Sequence, residues 1–74
     1  MAVDFGALLS ADQKRQILTD RIAAFAADGW QHEINRKNAF LQGDEQAVAL
    51  ADAAIASITQ TIEVHQIELE ALNG

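Results

Sequence analysis

Between Val48 and Leu72 the residues Val48, Ala51, Ile55, Ile58, Ile62, His65, Leu69 and Leu72 recur at alternating steps of three and four, with His65 the one polar member. A two-per-heptad stripe of this kind marks one narrow face of an α-helix, and burying it requires a second helix lying alongside. The feature therefore fixes a mode of packing before it says anything about chemistry. Absence of proline and a content of only four glycines remove the residues that would interrupt long helices, and the many Ala, Gln, Glu and Ile residues support them.

The partner helix lies in the first half of the chain. Ser10 followed three residues later by Gln13 has the form of a capping box, in which each side chain answers the other residue's backbone N–H. The first helix is expected over about residues 11–41, a turn over about 42–44 and the second helix over about 45–72. Gly43 suits the left-handed conformation that ends a helix, and Asp44 can cap the next one. So short a connection makes the helices antiparallel neighbours. The expected fold is all-α: an antiparallel, coiled-coil-like two-helix hairpin over residues 10–74, preceded by a short N-terminal arm over residues 1–9. A break at Asp28-Gly29 would give three helices instead; the alternative reading of Gly29 is a site of close helix contact.

Folding at Gly43 sets residues whose numbers sum to about 87 opposite one another. Phe25 then faces Ile62, Leu18 faces Leu69, Ile22 lies near His65, and Gly29 makes room for Ile58. All five basic residues precede Gly43, whereas the chain from Asp44 onward carries six acids and no base. This register brings Arg36 and Lys37 toward Asp52, and Lys14 and Arg15 toward Glu70, each exposed pair contributing about 0 to 1 kcal/mol.

Seventy-four residues bury little surface, and the chain has no cysteine with which to form disulfides or Cys-based zinc sites. Association is the remaining source of stability, so the hairpin is expected to be completed by oligomerisation or by docking on a partner. The surplus apolar surface agrees. Ala23, Ala27, Trp30, Ile34 and Leu41 form a second stripe on the first helix, as do Ala49, Ala53, Ala56, Val64, Ile67 and Ala71 on the second. A lone hairpin covers only its facing stripes. The expected partner interface is Phe5, Leu8, Trp30, Ile34, Leu41 and Ile67, with the Phe5 arm able to reach only the free ends of the helices.

Other chemistry is poorly supported by the pattern. A net charge of −6 disfavours nucleic acid as a partner. The start MAVDFGALLS lacks a basic leader, and no continuous apolar run approaches the roughly 20 residues that cross a bilayer, so no membrane association is expected. His32-Glu33-Ile34-Asn35-Arg36 lacks the second histidine of a zinc-protease motif. His32 and His65 are out of step by roughly 15 Å along the hairpin, which excludes a shared metal within one chain. They read instead as polar seam residues that fix register. Glu33, Arg36 and Lys37 form a charge cluster at helical spacing. No catalytic residue, cofactor or metal site is expected, since neither Ser10 nor Ser57 has a base and orienter and no glycine-rich phosphate loop is present.

The run Ile22-Ala23-Ala24-Phe25-Ala26-Ala27-Asp28-Gly29-Trp30-Gln31-His32-Glu33-Ile34-Asn35 is followed by Gly43-Asp44-Glu45, Ala51-Asp52-Ala53-Ala54-Ile55 and Ile62-Glu63-Val64-His65-Gln66-Ile67-Glu68-Leu69. In wording and layout this resembles small uncharacterised helical-hairpin proteins of actinobacterial phages and prophages. The resemblance covers most of the chain, contains no signature residue of known role, and implies a setting in a virion or the host cytoplasm. It leads to the expectation of a phage structural or virion accessory protein that docks on a larger particle protein. Two alternatives accompany it: a small acidic regulator or inhibitor of a host protein, and a self-contained homodimeric four-helix bundle.

Overall fold

The computed structural model describes residues 2–73, in the order α1 (Phe5–Leu8), α2 (Ala11–Leu41) and α3 (Glu45–Asn73). Helices α2 and α3 form an antiparallel hairpin with a short arm before it, within an envelope of 51 × 27 × 16 Å. Within the arm Asp4 caps a four-residue helix by accepting the Ala7 N–H at 3.3 Å.

Local chemistry accounts for the boundaries. The Ser10 hydroxyl accepts the Gln13 N–H at 3.1 Å and the Gln13 side chain accepts the Ser10 N–H at 2.8 Å, completing the capping box. At the far end Gly43 adopts φ 71°, its N–H reaching the Phe40 carbonyl at 3.1 Å while the Asp44 N–H reaches that of Ala39 at 2.9 Å. These two bonds form a Schellman motif, which satisfies carbonyls left over at the end of α2. The Asp44 side chain then accepts the Ala47 N–H at 3.0 Å and starts α3.

Helix α2 is continuous through Gly29, so the three-helix alternative created by a break there is excluded. A Cβ built on Gly29 would lie 3.4 Å from Ile58 Cγ2, which identifies the glycine as a point of close approach and agrees with the expected register. The bond between Arg36 and Asp52 agrees as well. All eight residues of the α3 stripe are buried or half-buried. They meet a stripe on α2 with the same alternating spacing: Arg15, Leu18, Ile22, Phe25, Gly29, His32, Arg36 and Ala39. Among the described residues only Ala39 and Ala51, 6% and 7% exposed, are buried, and both sit in the loop half of the hairpin.

Two contacts differ from expectation. Arg15 pairs with Asp12 on its own helix and donates to Asn73 Oδ1 at 3.2 Å; neither it nor Lys14 forms an ion pair with Glu70. An interaction three residues away on the same helix is available to Arg15 without spanning the hairpin. Asp52 is bound by Arg36 from the facing stripe, while Lys37, one residue on and turned about 100° round the helix, forms no ion pair among the described residues. Phe40 follows the last residue of the α2 stripe. It is exposed, and Ala39 occupies the seam.

Candidate protein-interaction surface

The loop half of the α2 seam is Gly29, His32, Arg36 and Ala39, so it offers α3 little apolar side chain. The large apolar residues of that half point elsewhere. Trp30 is 63% exposed and Leu41 84%, and Ile34 and Phe40 are exposed beside them. On α3 the exposed set is Leu50, Val64 and Ile67. Phe5 and Leu8 in the arm are exposed too, and only Leu9 and Gly6 help line a recess with Leu18 and Leu72 at the free ends. All six residues expected to form the partner interface therefore stand in solvent, distributed over α2, α3 and the arm. They do not form one patch.

One hollow lies at mid-hairpin, a groove of about 290 Å³ lined by Phe25, Gly29 and Trp30 of α2 and by Ile55, Thr59 and Ile62 of α3. It exists because Gly29 contributes no side chain between two rows of larger residues. Its open side has Trp30 at the rim. Phe40, ten residues further along α2, lines a second recess with Val48 and Glu45. Sequence reasoning missed Phe40 and Leu50 as exposed residues. The available signal was heptad phase: extending the 3–4 alternation from Phe25 through Gly29 and His32 arrives at Ala39 and leaves Phe40 outside.

Polar groups in the seam are locally satisfied. The His65 ring packs edge-on against Phe25 with centroids 5.1 Å apart, and its Nδ1 lies 2.7 Å from the Thr61 carbonyl. A carbonyl only accepts, so Nδ1 carries the proton in this contact. The Arg21 guanidinium covers the other part of the Phe25 ring, 5.6 Å from its centroid. His32 Nε2 lies 3.7 Å from Asp28 of its own helix. The two histidines thus have separate surroundings, and no group of three His, Cys, Asp or Glu capable of holding a metal occurs among the described residues. Nor do Glu33, Arg36 and Lys37 act as a cluster, because Arg36 turns to Asp52 and neither of the others joins an ion pair among the described residues.

Charge is unevenly compensated. Among the described residues, Arg36–Asp52 is the only ion pair linking α2 and α3, and Glu63, Glu68 and Glu70 enter none. By length and composition α3 is also long and apolar enough to cross a membrane, although no continuous apolar run in the sequence is that long. Alanines interspersed with Ile and Val produce this average, and they include the small residues of its outer face. The chain matches no protein-family model, no curated protein and no solved structure.

Proposed function

We propose that the chain is a non-enzymatic protein–protein interaction module that docks on a larger protein through apolar surface its hairpin leaves uncovered. The supporting observation is the imbalance between two buried alanines, Ala39 and Ala51, and exposed Trp30, Ile34, Leu41 and Ile67. Covering such residues releases about 25 cal/mol for each Å² of apolar surface removed from water. The resemblance to phage helical hairpins supplies the setting, in which the larger partner is a virion protein. Mass spectrometry of purified particles should then find the chain, and Ile34→Asp with Leu41→Asp should abolish its incorporation. Particles without a trace of it refute the virion setting.

A second reading draws on Glu63, Glu68 and Glu70, which no cation of α2 neutralises among the described residues. Acids at the C-terminal end of a helix oppose its dipole, and a basic groove on another protein would relieve them. In this reading the chain is an acidic regulator of a host protein. Binding that survives replacement of all three glutamates by glutamine refutes it.

A further inference from the structure

We propose that a second copy of this chain covers the face bearing Trp30, with the two-fold axis parallel to the helices, so that α2 of each copy lies on α3 of the other. The inference rests on the reading that the uncovered apolar surface is interface, and it names the occupant of one face.

The face is set by the mid-hairpin groove, to which Trp30 and Thr59 both contribute. Helical spacing places Ala26, Glu33, Lys37 and Phe40 in line with Trp30 on α2, and Ala49, Asp52 and Ala56 in line with Thr59 on α3. In the loop half of this face α2 thus presents Trp30 and Phe40, and α3 presents Ala49 and Ala56.

Register matches them. Gly29 lies against Ile58, Arg36 against Asp52 and Arg15 against Asn73, so facing residues have numbers that sum to about 87 or 88. An axis parallel to the helices preserves height along them, and α2 therefore meets the other copy's α3 in this same register. Trp30 falls over Ala56, and Phe40 over Ala49. The packing is large on small, which lets helices approach while filling the space between them.

Charge selects this arrangement over its rival. Lys37 falls beside Asp52 of the other copy, and α2, which carries all five bases of the chain beside four acids, lies on α3, which carries acids alone. A two-fold perpendicular to the helices would instead stack α3 on α3, two helices that each carry five acids and no base. Area is sufficient. The chain exposes 5715 Å², whereas a compact monomer of 8.0 kDa exposes about 4,450 Å². The excess on two copies is about 2,500 Å², within the range of about 2,000–5,000 Å² buried by obligate homodimers.

The test combines sedimentation with one distance, measured on the full chain carrying Gln42→Cys and a nitroxide at the loop. A dimer whose two labels lie within about 25 Å supports the proposal, since four packed helices with interaxial spacings of about 8–10 Å keep loops at the same end close. Labels separated by nearly the 51 Å length of the hairpin overturn it, as does a monomer at about 100 µM. Trp30→Ala should weaken the dimer about tenfold or more. Lys37→Glu, at an exposed side chain outside every ion pair of the hairpin, should weaken it about threefold to tenfold. Unchanged association in either variant also overturns the proposal. A monomer that still docks on a virion protein refutes the second copy alone, whereas a dimer absent from particles refutes the virion setting alone.

Discussion

Replacing Gly29 by alanine should stabilise the protein, against the usual effect of filling a close helix contact. The glycine is interior to α2, where it costs about 1 kcal/mol relative to alanine. The new Cβ would stand 3.4 Å from Ile58 Cγ2, at the near edge of ordinary van der Waals contact and with no other side chain or distant backbone atom within 4 Å. Little has to move. The added methyl also lines the mid-hairpin groove, and the expected gain is about 0.5–1.5 kcal/mol. For a domain of this size that is a rise in melting temperature of roughly 4–8 °C per kcal/mol. A leucine at the same position reverses the sign, because its branched end must displace Ile58; overpacking of this sort costs about 1–3 kcal/mol. Urea unfolding followed by far-UV circular dichroism, with protein concentration held fixed so that association does not alter the midpoint, measures both. If Gly29→Ala is no more stable than the parent, or Gly29→Leu is as stable, the contact geometry at Gly29–Ile58 is wrong.

Three further substitutions probe the elements that shape the hairpin. Ser10→Ala removes one half of the capping box and should cost about 0.5–2 kcal/mol in the same assay, with fraying confined by hydrogen exchange to the first turn of α2. Gly43→Ala should cost about 1–2 kcal/mol, all of it from the φ of 71°, because nothing lies within 4 Å of the added Cβ. A double-mutant cycle on Arg36 and Asp52 should give a coupling of about 0–1 kcal/mol that shrinks in salt, since both side chains are about half exposed; a coupling well above this range would mean the pair is shielded from water by something outside the hairpin.

The α3 side of the fold was legible because its seam is nearly all apolar, and the capping box, Gly43 and Asp44 announced the ends of the helices by residue type. The α2 side was legible only in its first half. Leu18, Ile22 and Phe25 carry a hydrophobic signal, but Gly29, His32 and Arg36 continue the same phase without one, and the larger Trp30, Ile34 and Leu41 draw attention to a different face. Spacing, not hydrophobicity, locates that half of the seam. Side-chain reach explains the ion pairs: neighbours on one helix are within grasp whatever the register, so Arg15 meets Asp12 rather than Glu70. The six interface candidates were legible as residues a two-helix seam cannot cover, and they are uncovered. Their distribution over separate faces depends on helical phase and the path of the arm. The four-residue helix after Asp4 gave too short a pattern to register against its surroundings.

Trp30 is the chain's single tryptophan, which makes its fluorescence a direct report on the surface at issue. In an isolated hairpin the indole is 63% exposed. Emission from the purified chain should be that of a buried, quencher-protected indole at high concentration, and should shift to that of a hydrated one on dilution, with the same midpoint as sedimentation. A hydrated, fully quenchable Trp30 at every concentration would contradict the claim that a second copy covers this face.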